Sequence, residues 1–434
     1  MTTAASTAAP ASGDIQQLLA RRRRHMGSQL YMFYDPPLHL VRGEGVWLYD
    51  AKGRAYLDVY NNVPHVGHCH PHVVEAIARQ AGRLNTNTRY LYDEVLDYAE
   101  RLTATLPAGL DVAAFVNSGS EAVDLAWRMS KAHTGQRGAV VMEEAYHGWT
   151  DGVEALSPAG KADNALAPHV RMLAPPDRYR GAHGSDGAAY AADADRAISS
   201  LQAAGLQPAA FIADPGFCTN GIHEPLPGYL GRVYDRMRAA GAVCIADEVQ
   251  TGFGRTGAQR WGFALHNVTP DIVTMGKPVA NGHPLGVVVT RREIMESFMS
   301  RTSFFSTFGG NNVACAAGMA VLDVLEKEQL QASAQKVGEH LKAGLRGLMK
   351  KHDLIGDVRG MGLMIGVELV TDRKTLTPAT KETKRVLNLM RDHGVLVGYE
   401  GRAVNIVKVR PPMPFKIEHA DQTVDAMEKA LKAL

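Results

Sequence analysis

Five short segments carry residues that could act together. Lys277 follows the apolar run DIVTM (271–275) and sits among Gly276, Pro278, Gly282 and Pro284. A lysine withdrawn from water gives up its proton readily and then forms Schiff bases with aldehydes. Asp247 ends the apolar run AVCIAD (242–247). An unpaired carboxylate is costly in such surroundings, so it needs a cationic partner. Asn117-Ser118-Gly119-Ser120-Glu121 follows AAFV (113–116) and opens a helical stretch. Bare N–H groups at a helix start can cradle an anion. Tyr146-His147-Gly148 follows GAVVME (138–143), and a tyrosine face can stack on a flat ring. Asp214 closes AAFIAD (209–214). Each residue also has a plain structural reading: a surface lysine, an aspartate paired with arginine, a core aromatic, a turn of small residues. The combination is more specific than its parts. Pyridoxal-5′-phosphate (PLP) needs a lysine for its aldehyde, an acid for its pyridine nitrogen, a stacking group and an anion cradle. The sequence therefore predicts a PLP enzyme with its Schiff base on Lys277.

The elements that must position these residues alternate. Helical spacing covers PHVVEAIARQAGRL, EVLDYAERLTATL, SEAVDLAWRMSKAH and GYLGRVYDRMRAA, interleaved with the apolar runs above and LGVVVT (285–290). Strands alternating with helices imply an α/β fold with a mostly parallel sheet, and ligands of such sheets bind beyond the carboxyl ends of the strands. Each candidate residue follows one of those ends. WLYDAKGRAYLDVYN (47–61) reads as a hairpin, 312–350 as a long helical region, and the remainder as a helix near 381–392, strands near 395–397 and 404–409, and a final helix. The expected organisation is a tail (1–28), an N-terminal segment (29–70), a large cofactor-binding domain (71–320) and a smaller α+β domain (321–434).

Composition narrows the field. The chain has 434 residues, 45% hydrophobic and 21% charged, with a net charge of +2. That is an ordinary globular make-up, with no electrostatic reason to expect nucleic acid or a membrane surface. Cys69, Cys218, Cys244 and Cys315 form no CxxC pair, and the apolar settings of Cys244 and Cys315 suggest buried thiols in a reducing compartment. The start MTTAASTAAPASGD lacks the basic opening and apolar run of a secretory signal. Arg21–Arg24 after an acid-poor stretch leaves a transit peptide open, but a solvated basic turn on a frayed tail is the plainer reading. A cytoplasmic protein is expected. Two rival motifs are set aside. Gly252-Phe253-Gly254-Arg255-Thr256-Gly257 fits GxGxxG, but four residues separate it from the strand end at Asp247 and no amphipathic helix follows. His65, His68, Cys69, His70 and His72 crowd together without the spacings of a zinc site, so no metal is expected.

From about residue 30 onward the chain resembles the class III aminotransferases, a fold-type I PLP family. The resemblance rests on GHCHP (67–71), NSGSEAVD (117–124), YHG (146–148), ADEVQTGFGRTG (246–257), GKPVANGHPLG (276–286), TFGGNNVACAAG (307–318) and RGMGLMIGVEL (359–369). It implies that Lys277 carries the cofactor, that Asp247 pairs with the pyridine nitrogen, and that Val249 and Tyr146 flank the ring. It implies cofactor contacts from Ser118, Gly119, Ser120, His147, Asp214 and Gln250, joined by Thr307 from the second subunit of a homodimer. YNNVPHVGHCHPHVV, LNTNTRYLYDE and VKVRPPMPF are similar to the phospholyases of this family that act on ethanolamine phosphate and phosphohydroxylysine. Two departures from ordinary aminotransferases point the same way. Lys408 stands where an arginine usually grips a carboxylate, with Arg410 just before Pro411-Pro412, and lysine lacks arginine's planar fork. Asp214 stands where a glutamate usually restrains that arginine. The expected activity is elimination of phosphate and ammonia from a β-phosphorylated primary amine, with His65, Arg89, Lys408 and Arg410 as candidate phosphate ligands. An ω-aminotransferase and an aminophosphonate ammonia-lyase are the alternatives.

Overall fold

The computed structural model describes residues 15–27, 32–161 and 166–434. Residues 1–14 and 28 of the expected tail lie outside the described residues. Within it, Ile15–Met26 is an α-helix with no buried residue. Arg21–Arg24 are therefore solvated, but on a helix rather than a turn. Ile15, Leu18 and Leu19 recur at helical spacing, and unbranched arginines lose little freedom in a helix.

The centre is a seven-stranded sheet. Its spatial order is Val112–Val116, Gly286–Thr290, Ile272–Met275, Val243–Asp247, Pro208–Ala213, Gly138–Met142, Val170–Leu173. Gly286–Thr290 runs antiparallel to both neighbours, and the other pairings are parallel. The remaining strands therefore end on one edge. Every residue of the four strands from Ile272–Met275 through Gly138–Met142 is buried. That explains their unbroken apolar text, since a parallel strand covered on both faces has no polar side. Helices Gly119–Thr134, Gly187–Ala203 and Tyr229–Ala239 pack against the sheet.

Two smaller sheets frame it. The expected hairpin is present as Trp47–Asp50 paired antiparallel with Ala55–Asp58. It does not stand apart, because Val395–Leu396 from the C-terminal third adds to it in parallel, opposite Leu57 and Asp58. Leu57 and Val395 are both fully buried, so burial of apolar edges joins the two chain regions. The third sheet contains Ile355–Met361, Met364–Asp372, Gly398–Glu400 and Ile406–Val409. The helical region divides into Asn312–Lys327 and Leu330–Met349, so the expected boundary at 320 and 321 falls within a helix. Cys244 and Cys315 are buried free thiols. No helix among the described residues is long and apolar enough to cross a membrane.

Candidate active site

Lys277 stands at the sheet edge because Gly276 turns the chain out of Ile272–Met275 into the 3-10 turn Lys277–Ala280. Three chain segments meet there. A Cβ on Gly276 would lie 3.0 Å from Gly119 Cα and 3.3 Å from Val249 Cγ2. A Cβ on Gly119 would lie 3.1 Å from the same Val249 methyl. Glycines are needed where backbones approach this closely. Burial, followed by the positive charge of Arg410, pushes the Lys277 amine below its ordinary range, while Asp247 pulls it back. A lysine in this setting is readily neutral and nucleophilic.

Gly119 and Ser120 begin the helix Gly119–Thr134, capped by Ser118 Oγ accepting from the Glu121 N–H at 3.1 Å. Glu121 reaches back to accept from the Asn117 N–H at 2.7 Å. The reciprocal caps fix the helix start, and the Gly119 and Ser120 N–H groups at its first positions are of the kind that can cradle an anion. Asp247, 4% exposed, contacts His147 Nδ1 through Oδ2 at 2.7 Å. Its Oδ1 has only long contacts, 3.3 Å from the Val249 N–H and 3.4 Å from the Thr274 hydroxyl. That oxygen has capacity for a cationic N–H partner. Tyr146 is 48% exposed beside buried His147. A desolvated lysine, a carboxylate with a spare oxygen, a helix N-terminus and packed glycines at Val249 fit PLP.

Asp214 is fully engaged. Its oxygens accept from the Gly216 and Cys218 N–H groups, each at 2.9 Å. Burial raises its carboxyl group and those two bonds lower it again. It anchors its own turn and forms no ion pair with a cation among the described residues.

A second cluster faces Lys277. Lys408 and Arg410 project from one side of the strand Ile406–Val409 and the residue after it, as expected two positions apart. Both are 3% exposed and both lie over the Tyr60 ring, at 5.8 and 5.7 Å from its centroid. Arg410 donates to Gln250 Oε1, which also accepts from Asn62 Nδ2 at 3.1 Å. Arg410 Nε is buried without a hydrogen-bond partner among the described residues. Lys408 pairs with Glu400. Burial and then Arg410 push the Lys408 amine well down, and Lys277 is near enough to add to the effect. Cys218 and Asp214 pull it back, and the contact with the Glu400 carboxylate favours the charged form of the amine.

The other expected phosphate ligands lie differently. His65 spends both ring nitrogens: Nδ1 receives Arg255 Nη2 at 3.1 Å, and Nε2 lies 2.9 Å from the Phe253 carbonyl. Burial, then Arg255, drives its pKa well down, so it is a neutral acceptor from Arg255 rather than a cation for an anion. Arg89 is exposed, with its guanidinium 4.0 Å from the Phe305 ring centroid. It therefore belongs with the loop that holds Thr307, itself exposed. Ser306 in that loop accepts from Asn117 Nδ2 at 3.3 Å.

Several participants are not singled out by the sequence: Tyr60, Asn62 and Arg255 lie inside its motifs without an assigned role, and Glu400 lies in none. Arg255 is the arginine of the glycine motif. It is fully buried, donates to the carbonyls of Leu363 and Pro411, and has its pKa lowered to about 9 by burial and then Arg410. The glycines around it serve packing, since a Cβ on Gly252 would lie 2.8 Å from the Glu248 carbonyl and one on Gly257 2.6 Å from Gln335. The histidine-rich segment disperses. His68, His70 and His72 each meet a different carboxylate, on Asp58, Glu328 and Asp323, at 2.7 to 2.9 Å.

Known proteins resemble this chain over nearly its whole length. The family model for "Aminotransferase class-III" matches residues 33–431. The chain is 43% identical to the mitochondrial alanine–glyoxylate aminotransferase 2 homolog 2 of Arabidopsis thaliana, over 98% of this chain and 88% of that one. It is 39% identical to the ethanolamine-phosphate phospho-lyase homolog 1 of Caenorhabditis elegans, over 99% and 97%. A phospholyase from Arthrobacter, solved in complex with phosphoethanolamine, superposes with a TM-score of 0.93 at 43% identity, covering 96% of this chain and all of that one. The chain belongs to the class III aminotransferases and has their fold-type I architecture, and its cofactor is PLP.

Proposed function

We propose that this enzyme is a phospholyase that converts a β-phosphorylated primary amine, such as O-phosphoethanolamine, and water into an aldehyde, ammonia and inorganic phosphate. The observation that carries the reading is the pair of buried cations, Lys408 and Arg410, set over Tyr60 and within electrostatic reach of Lys277. A phosphate monoester dianion answers two buried cations better than a carboxylate does. The Arthrobacter relative, solved with phosphoethanolamine, supports the same choice.

Bound PLP supplies an aldehyde for the substrate amine and a ring that takes up the electrons left when the Cα proton departs. Gly119 and Ser120 would hold the cofactor phosphate, Val249 and Tyr146 would flank the ring, and Asp247 would hold its pyridine N–H. His147 keeps Asp247 in place. The Lys277 amine takes the Cα proton as general base. Lys408 and Arg410 hold the substrate phosphate and neutralise its charge as the C–O bond breaks and it leaves with the bonding electrons. Hydrolysis of the remaining enamine yields acetaldehyde and ammonia. The site is completed in a homodimer, Thr307 of each chain serving the other's cofactor. The exposed apolar residues Tyr90, Leu91, Phe305 and Phe308 near Arg89 and Thr307 support a partner face.

The test is to give the PLP-loaded protein O-phosphoethanolamine with no keto acid. Phosphate, ammonia and acetaldehyde in equal amounts are expected. No phosphate, but alanine from pyruvate and an amine, would assign the chain to the aminotransferases proper, the activity named for its Arabidopsis relative.

A further inference from the structure

Glu400 differs from the other buried acids. Asp214 is anchored by two backbone N–H groups, and Glu248 by two N–H groups and the Thr251 hydroxyl. Glu400 has one partner among the described residues, Lys408. It lies on Gly398–Glu400, which pairs antiparallel with Ile406–Val409 so that Glu400 stands opposite Ile406 and Gly398 opposite Lys408. Its side chain is 16% exposed, against 3% for Lys408. Glu400 thus sits on the solvent side of a deeper cation and, among the described residues, is held by that cation alone. Beside them Arg410 Nε is buried and unpartnered.

This arrangement sets a charge condition on whatever enters. A buried ammonium without a counter-charge is costly, so Glu400 occupies the position that an anionic ligand would take. A carboxylate that displaced it would exchange one negative charge for one and gain little. A phosphate monoester brings two, enough to replace Glu400 at Lys408 and to engage the idle Arg410 nitrogen. Resting on the reading of Lys408 and Arg410 as phosphate-holding cations, we propose that Glu400 is the charge filter of the site: a displaceable internal anion that admits dianionic substrates and turns away monoanions.

The test is isothermal titration of inorganic phosphate and, separately, acetate into the PLP-loaded protein near pH 8, where phosphate is mostly dianionic. Bound PLP already fills the cofactor's own phosphate cradle, and the readout needs no turnover. Wild type should bind phosphate and ignore acetate. In Glu400→Gln, phosphate should bind about tenfold more tightly and acetate should now bind, because neither must evict a carboxylate. Unchanged or weaker phosphate binding in Glu400→Gln, with acetate still silent, would overturn the proposal. Lys408→Met separates the two levels of the argument. If it leaves phosphate binding intact, the phosphate reading of Lys408 fails; if it removes phosphate binding, the Glu400→Gln result judges the filter alone. Glu400→Ala, with the visible cofactor band as a check on folding, guards against an effect peculiar to glutamine.

Discussion

The site has two halves built on different principles. On the cofactor half, each group emerges from the end of a fully buried strand and is held by near neighbours: Gly276 turns Lys277 outward, Ser118 and Glu121 cap the helix start, and His147 meets Asp247 at 2.7 Å. The carboxylates there are held close, Asp247 by His147 and Glu121 by the Asn117 N–H. On the substrate half, Lys408, Arg410 and Arg255 are all buried, Lys408 alone of the three pairs with a carboxylate, that of Glu400, and one guanidinium nitrogen on each arginine has no partner among the described residues. The first half is a closely packed mount, with capacity left at Asp247 Oδ1 and at His147 Nε2, which has no partner among the described residues. The second holds more buried basic groups than carboxylates, and under the proposed function the substrate phosphate neutralises them. Cofactor chemistry common to a family can rest on the first while the second sets what is accepted.

The largest effect expected falls on the mount. On the proposed mechanism Lys277→Ala would remove both the cofactor linkage and the general base, and turnover should drop by at least ~10²–10⁴-fold, the usual range for losing a positioned acid–base group. The visible band of the PLP-loaded protein should vanish with it. Retained turnover would break the division between the halves, because catalysis would then not depend on Lys277. A smaller loss is expected for His147→Phe, which keeps the ring volume but removes the Nδ1 contact to Asp247. Hydrogen bonds to charged groups contribute about 1.5–3 kcal/mol, so kcat should fall roughly 10–100-fold with KM for the amine little changed. A KM effect instead would place His147 on the substrate side.

The smallest effect concerns stability near the mount. Glu248 is fully buried, and burial raises its pKa to about 7 despite three hydrogen bonds. A carboxyl whose pKa is higher folded than unfolded binds its proton more tightly in the folded state. Its contribution is therefore complete below the unfolded value and is lost as pH rises through about 7. The melting temperature should decline from pH 6 to pH 8, and Glu248→Gln should flatten that decline. A decline of equal slope in the variant would assign it to other groups.

The mount was legible in the sequence because each of its residues follows an apolar run that announces a buried strand. Lys277, Asp247 and the Ser118–Ser120 turn could be found by reading what comes after each run. The filter was not legible in the same way. Lys408 and Arg410 stood out only against the family pattern, Tyr60 and Arg255 lay in motifs that gave them no role, and Glu400 had no local mark. The contacts that give them meaning join residues far apart in the chain, such as Arg410 with Gln250 and Arg255 with His65. His65 was misplaced among the anion ligands for the same reason, since nothing near it in sequence discloses Arg255. In the fold, the edge strand Val170–Leu173 and helix Gly187–Ala203 had no clear signal. The strand is four residues long with Arg171 in it, and the helix is largely alanine, so neither has a strong hydrophobic period.

The most direct test of the substrate half is the kinetics of Lys408→Met with O-phosphoethanolamine, followed by phosphate release, with the visible cofactor band measured alongside. Loss of a charged contact to the substrate phosphate should lower kcat/KM roughly 10–100-fold, chiefly through KM, while the band stays as in wild type. An unchanged kcat/KM, with the band intact, would contradict the assignment of this buried lysine to the substrate phosphate.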